Sequence, residues 1–312
     1  MTTANTCVAY ISHPSFRLHD MGEGHPECPQ RVEVIADRLI VSGLADFMTY
    51  FPAPLASADQ IARAHSHAYF ERLRQASPAR GWHSIDPDTT MNPATFNAAQ
   101  HAAGAAVLAA DLVCSGEHMR VFCNVRPPGH HAERDRAMGF CFFNNVAVGI
   151  HQALAQHGLK RIALIDFDVH HGNGSEDIFA GDQRVLMLST FQSPLYPYSG
   201  EQPRGPNMCN VPLPPYSDGT QLRAAVAQHW LPRLTEFAPQ MIWISAGFDA
   251  HRNDPLSQLR WTEQDYRWLT DTLVLAANRS AAGRIVSMLE GGYDLPGLAA
   301  SVEQHVRSLI EG

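Results

Sequence analysis

The sequence predicts an α/β fold: a parallel sheet with helices on both faces. Three observations predict it. Short apolar, branched runs alternate with helical segments from one end of the chain to the other. Each cluster of His, Asp, Glu or Tyr follows one of those runs, as sites at the carboxyl ends of parallel strands do. No repeat or low-complexity segment divides the 312 residues, a length that suits one large domain or two small ones and is ample for a core.

The first strand is read at Cys7–Ile11, followed by a Gly-, His- and Asp-rich loop from Ser12 to Glu27. Pro29 stands where a helix can begin, and Arg31–Ile40 has helical spacing with Gly43 as its stop. Phe47–Phe51 reads as a short strand. Ser57 with Gln60 three residues on has the pattern of a capping box before Ile61–Ala64. Ala68–Gln75 is helical, Ser77–Pro93 is loop, and Pro93–Cys114 is an alanine-rich helix closed by Ser115-Gly116. The strand Arg120–Asn124, the helix Asn144–His157 and the strands Arg161–Ile165 and Arg184–Ser189 follow. Seven prolines between Phe191 and Gly219 predict irregular surface loop. Gln221–Phe237 is helical, with Pro232 expected to kink or shorten it. The strand Met241–Ser245, a helix capped by Thr262 and reaching about Ala277, the strand Arg284–Leu289 and the helix Pro296–Ile310 complete the pattern.

Composition narrows the function. A net charge of −8 lacks the basic face that nucleic-acid binding needs, and is compatible with cationic substrates. Cys7, Cys28, Cys114, Cys123, Cys141 and Cys209 form no CxxC pair and read as reduced thiols, which suits a cytoplasmic protein. No basic-then-apolar leader and no 18-residue apolar span is present, which predicts neither a signal peptide nor a membrane partner. A homo-oligomer is compatible with all of this.

The richest stretch is Ile165–Gly174, with two acids and two histidines followed by Gly-Asn-Gly. Alternate side chains of an extended segment share a face, so Asp166, Asp168 and His170 point the same way just past a strand. Asp168 and His170 can reach one divalent metal, with Asp166 free to support them. Taken alone, the stretch also reads as a polar turn capping a helix near Ser175. Four such clusters at four strand ends favour a site. Asp249, in Ser245–Ala250, is the best third ligand, with a helix cap as its other reading. An Asp, His, Asp set suits zinc first, with iron or cobalt also compatible. His130 and His131 sit on a turn stiffened by Pro127-Pro128; an imidazole suits proton transfer near neutral pH, and Asp166 and Asn173 are the candidates to orient the pair. Tyr293, in Glu290-Gly291-Gly292-Tyr293, can present a phenol to a developing oxyanion. Phe140 and Tyr196 lie in loops broken by glycine or proline and can wall an apolar channel.

The segments RPPGHHAERDRAMGFCFFNN, DFDVHHGNG, SAGFDAH and EGGYD, with HPECPQR nearer the start, resemble the zinc-dependent histone deacetylases, most closely class II. The matching motifs run from about His25 to Tyr293. The resemblance implies one catalytic domain over residues 1–312, with an arginase/deacetylase-type fold and eight parallel strands. It implies Asp168, His170 and Asp249 as ligands of one Zn2+, His131 as general base and acid with His130 as electrostatic partner, and Tyr293 as oxyanion donor. Phe140 and Tyr196 match positions that flank an acyl-lysine channel, with Gly139 lining it. Asn173 stands where class I members carry Asp. A structural monovalent cation, K+ or Na+, is implied at Asp166, Ser189 and Thr190 with backbone carbonyls of Asp168 and His170, and a second at Phe179, Asp182 and Val185.

The implied reaction is hydrolysis of an acylated lysine or acylated amine to acetate and free amine. Three rivals stand beside it. A two-metal arginase-like hydrolase would want an acid where Gly172 stands. An acetylpolyamine deacetylase of the human type carries Glu seven residues after the third ligand, where this chain has Leu256; bacterial polyamine enzymes use other acids, so Leu256 does not decide. A non-catalytic reader of acylated ligands would have no need for His130, His131 and Tyr293 together.

Overall fold

In the computed structural model, which describes residues 7–312, ten strands and ten α-helices follow the predicted alternation. In chain order they are β1 (Val8–Ser12), α1 (Gln30–Val41), β2 (Met48–Pro52), α2 (Ala58–Ile61), α3 (His67–Ala76), β3 (His83–Ser84), β4 (Thr90–Met91), α4 (Thr95–Ser115), β5 (Arg120–Cys123) and α5 (Asn145–Ala155). Then come β6 (Ile162–Asp166), α6 (Asn173–Phe179), β7 (Val185–Gln192), β8 (Met208–Leu213), α7 (Gly219–Ala225), α8 (Leu231–Phe237), β9 (Met241–Ala246), α9 (Glu263–Ser280), β10 (Ile285–Leu289) and α10 (Leu295–Glu311). Eight strands form one sheet in the order β2-β1-β5-β10-β9-β6-β7-β8, every pair parallel; β3 and β4 make a separate antiparallel ladder. This is the eight-stranded parallel architecture that the resemblance implied.

Both faces of the sheet are covered, and the period of two decides by what. Val286 and Trp243 are register partners, and the Trp243 ring packs where a Cβ on Gly149 of α5 would stand, 2.2 Å away. The same spot is 3.0 Å from Ala106 of α4, so the alanine-rich helix and α5 close on one face. One residue on, Ser287 turns to the other face and its hydroxyl meets His305 of α10 at 2.8 Å. Trp230, Trp243 and Trp261 are among the largest fully buried side chains. Among the described residues no helix is long and apolar enough to cross a membrane.

Three expectations change. Ser77–Pro93, read as loop, carries the short β3–β4 ladder. The proline-rich stretch after Phe191 contains a strand, β8, at the edge of the sheet, pairing Met208–Leu213 with Met187–Gln192. Pro212 has no N–H to give, which an edge strand tolerates because its outer side has no partner. The helix containing Pro232 neither stops nor breaks. Val226–Trp230 widens into a π turn between α7 and α8, and Pro232 falls in the first turn of α8, where a missing N–H costs little.

The order of the sheet positions the site. β5, β10, β9 and β6 are consecutive neighbours, so the four loops that carry the polar clusters leave one rim side by side.

Candidate active site

Asp168, His170 and Asp249 are buried and offer ligand atoms that all lie within 4.8 Å of one another. Backbone hydrogen bonds aim them. Asp168 Oδ1 accepts the His170 N–H at 2.9 Å and its Oδ2 accepts the Gly291 N–H at 2.8 Å. Asp249 Oδ1 accepts the Val169 N–H at 2.9 Å. His170 Nδ1 lies 3.0 Å from Asp168 Oδ1 and 3.2 Å from Asp249 Oδ2. That second approach has the distance of an ion pair but not the direction of a hydrogen bond, and Asp249 Oδ2 stays buried without a hydrogen-bond partner. A Cβ on Gly291 would stand 2.1 Å from that same oxygen, and one on Gly247 2.1 Å from Asp168 Oδ2, so these two positions leave room for the carboxylates.

The electrostatics ask for positive charge at the centre of this group. Burial opposes a charged His170, yet Asp168 and Asp249 push it up to about 10. Burial, and then the neighbouring Asp168 carboxylate, raise Asp249 to about 7. Two carboxylates and an imidazole, with one carboxylate oxygen unpartnered, fit a divalent metal ion.

The β5 loop supplies the histidine wall. His130 Nδ1 donates to Asp166 Oδ2 at 3.0 Å, and the two imidazole rings lie 4.0 Å apart. Burial works against a charge on His130, but Asp168 and Asp166 outweigh it and raise its pKa well above the usual value. His131 goes the other way, held well below by burial and by His130 and His170. Asn173 settles which His131 nitrogen carries the proton. Its Nδ2 donates to Glu133 Oε1 at 2.9 Å, so its Oδ1 faces His131 Nδ1 at 2.8 Å and can only accept. The proton sits on Nδ1, and Nε2 keeps its lone pair. Glu290, read in the sequence only as part of a turn, braces the loop: its Oε2 accepts the N–H groups of Gly129 at 2.7 Å and His130 at 3.1 Å. A Cβ on Gly172 would stand 2.2 Å from Asp166 Oδ2, so the absence of an acid there also makes room for the His130–Asp166 pair.

The β10 loop supplies Tyr293. Its phenol is raised well above the usual value, by burial first and also by Asp249 and Asp168, so it remains a donor. Arg31 lies under its ring, 5.0 Å from the centroid, and donates to the carbonyls of Gly292, at 2.7 Å, and Glu290. Arg31 is in turn paired with Glu27 at 3.1 Å, and Glu27 accepts from Arg126 at 2.7 Å. All three are fully buried. Burial alone would raise the Glu27 carboxyl; Arg126, with His19 and Arg31, overcomes it and holds it well below the usual range. The Asp254 carboxylate accepts the N–H of Tyr293 at 2.7 Å and that of Leu256 at 2.9 Å, joining the Leu256 turn to the Tyr293 loop. These supports escaped sequence reading. The Glu27–Arg31 spacing of four was visible, but the burial that makes it matter was not.

Phe140 and Tyr196 flank the two walls. Phe140 meets the Tyr293 ring edge-on at 5.9 Å, and Tyr196 meets the His131 ring at 5.2 Å. Gly139 has φ +57, and a Cβ there would stand 2.5 Å from His131 Cδ2, so only glycine lets the channel loop close over that ring. Asp166 is the register partner of Ser189, so the residues expected to hold an inner monovalent cation are strand neighbours; the Thr190 hydroxyl is buried without a hydrogen-bond partner. The outer cation position is different. The carbonyls of Phe179, Asp182 and Val185 do converge, but on Asn207 Nδ2, which donates to all three. The Asn207 side chain, from the loop that leads into β8, thus lies among the three carbonyls that the resemblance implied for a second cation.

A family model for the histone deacetylase domain matches residues 25–309. The chain is 37% identical over 310 residues to a histone deacetylase-like amidohydrolase of Pseudomonas aeruginosa, covering 92% of this chain and 81% of that one. It is 35% identical to a probable deacetylase of Archaeoglobus fulgidus, again covering 92% of this chain and 81% of the relative. Among solved structures, the crystal structure of the HDA15 HD domain superposes with a TM-score of 0.92 at 30% identity, covering 98% of this chain and 88% of that one. With the domain model matched over residues 25–309 and relatives of that identity aligned over about four-fifths of their own length, this chain belongs to the histone deacetylase family.

Proposed function

We propose that the chain hydrolyses the amide of an N-acetylated lysine, or of a related acylated amine, to the free amine and acetate. The observation that carries this reading is the convergence of Asp168, His170 and Asp249, one oxygen of them unpartnered, beside a His131 whose Nε2 lone pair is free. Asp168, His170 and Asp249 would hold zinc, which supplies Lewis-acid polarisation of a carbonyl and acidifies water. His131 Nε2 takes a proton from the attacking water, and Asn173 steadies the proton on Nδ1. His130, paired to Asp166, keeps positive charge beside the developing negative charge. The Tyr293 phenol donates to the oxyanion of the tetrahedral species. His131 then returns its proton to the departing amine. Asp166, Ser189 and Thr190 would hold one K+ or Na+ behind this group. The six free cysteines suit a reducing compartment such as the cytoplasm.

One observation favours a second substrate. Asp86 and Asp88 lie close enough to the Tyr196 phenol to raise it further, beyond the effect of burial. Thr89, next to them, accepts the Phe140 N–H at 3.1 Å. Two acids near Tyr196 suit an amine with a second, distal positive charge, as in an acetylpolyamine. The test is a turnover panel on the zinc-loaded chain: acetyl-lysine peptides, longer acyl-lysines, trifluoroacetyl-lysine and acetylpolyamines. Activity on the peptides alone selects the first reading and activity on the polyamines alone the second. Silence on every acylated amine removes both.

A further inference from the structure

The corner where α6 ends and β7 begins closes on a single side chain. Asn207 Nδ2 donates to the backbone carbonyls of Phe179 at 2.9 Å, Asp182 at 3.1 Å and Val185 at 2.9 Å. An amide NH2 has two hydrogens, so three acceptors share two protons, and the three distances place the nitrogen nearly equidistant from the oxygens. The choice of nitrogen over oxygen at that point follows from the other end of the amide. Asn207 Oδ1 accepts the Gly181 N–H at 3.0 Å. A backbone N–H cannot accept, so turning the amide over would set NH2 against N–H and the oxygen against three carbonyls. The main chain holds the residue as well, because the Asn207 carbonyl accepts the Met187 N–H of β7 at 2.9 Å. Gly205 closes over the group: a Cβ there would stand 2.8 Å from Asn207 Oδ1 and 2.9 Å from the Gly181 nitrogen.

Three converging carbonyl oxygens attract positive charge, and a monovalent cation or a polarised N–H group can answer it. Both cannot occupy the same point. We infer that in this chain the Asn207 amide takes the place of the outer monovalent cation, so that the loop between α6 and β7 is tied to the start of β8 by hydrogen bonds and takes up no ion. The inner position at Asp166 and Ser189 is untouched by this inference, and so is the reaction proposed above. The residue responsible lies in the proline-rich stretch that gives little sequence signal; the ion at Phe179, Asp182 and Val185 is expected only from the family resemblance.

Crystals of the full chain grown or soaked in a thallium(I) salt test it directly. The expected result is no anomalous peak among the carbonyls of Phe179, Asp182 and Val185, whatever is seen at the inner position; a peak there overturns the inference. A solution measurement gives an independent reading. Asn207→Asp replaces the donor with a carboxylate oxygen facing three carbonyls, an arrangement that needs a cation. Melting is followed in potassium chloride and in choline chloride at equal ionic strength. Any inner-site response is common to both proteins, so the difference reports the outer corner. The expected outcome is an extra potassium-dependent rise in Tm of about 2–4 °C in the variant. Should that variant not fold, Asn207→Ala frees the same carbonyls without adding charge and is read the same way. A potassium response no larger than that of the unaltered chain overturns the inference.

Discussion

The β5 loop and the β10 loop flank the same acidic cluster, yet they hold their reactive groups by opposite means. His130 and His131 are supported by groups that belong to the rim itself: Asp166 at the end of β6, Asn173 at the start of α6 and Glu290 at the end of β10. Tyr293 is clamped from outside by a buried ion cluster, Arg31 with Glu27 and Arg126. The difference follows from what each group must do. A residue that takes up and returns a proton needs a partner that accepts without competing for that proton, and the neutral Asn173 amide does this. A phenol that only donates needs placement, and permanent guanidinium charge gives rigid placement without entering the chemistry.

If that contrast is right, removing the proton carrier is the largest single loss. His131→Ala should lower kcat/KM by about 10²–10⁴ with metal content unchanged, read by elemental analysis of the same preparation. A loss below about tenfold would mean that the histidine wall is not where the proton moves. The clamp comes next. Glu27→Gln leaves two buried guanidinium groups facing a neutral amide, and breaking a buried pair costs about 3–5 kcal/mol. Urea unfolding should show that loss of stability, and unchanged stability would show that the cluster does not carry the β10 loop. Tyr293→Phe then separates placement from chemistry. It keeps the ring on Arg31 and removes only the hydroxyl, so turnover should fall about 10²–10³, or roughly 2.7–4 kcal/mol, while metal and inhibitor binding and unfolding stay as they were. Loss of inhibitor binding alongside turnover would count against an oxyanion role.

The histidine wall was largely legible in the sequence and the clamp was not, for the same physical reason. His130, Asp166, Asp168, His170 and Asn173 act through spacing along strands and turns, and that spacing is written in order along the chain. Arg31 acts through carbonyls 259 and 261 positions away, and nothing local marks it as buried. The sheet divides in a similar way. Central strands such as β6 and β9 announce themselves as continuous branched apolar runs because both their faces are covered. β8 lies at the edge, with Asn210 and Pro212 in its six residues, and reads as loop. The outer corner shows the limit most plainly. Its three acceptors are backbone carbonyls, which any residue carries, so the side chain that converges on them can be found only in three dimensions.

The smallest effect sharpens the contrast from behind the histidine wall, where His65 braces it. His65 Nδ1 donates to the carbonyls of Glu133 at 3.0 Å and Arg134 at 3.1 Å, and Nε2 accepts the Asn144 N–H at 2.9 Å. Both nitrogens are therefore committed with the ring neutral; a second proton on Nε2 would face the Asn144 N–H. Burial, only partly offset by those two carbonyls, lowers the pKa from 6.5 to about 4. The unfolded chain takes up the proton first as pH falls, so stability is complete above about pH 6.5 and drains away down to about pH 4. The span corresponds to roughly 3 kcal/mol. His65→Gln keeps an amide in the same place but cannot titrate. The unfolding free energies of the two proteins, measured across that range, should converge as pH falls, because only the unaltered chain loses this contribution. Parallel curves for the His65 pair would mean that the ring titrates normally in the folded chain, and that the histidine wall does not depend on a neutral imidazole behind it.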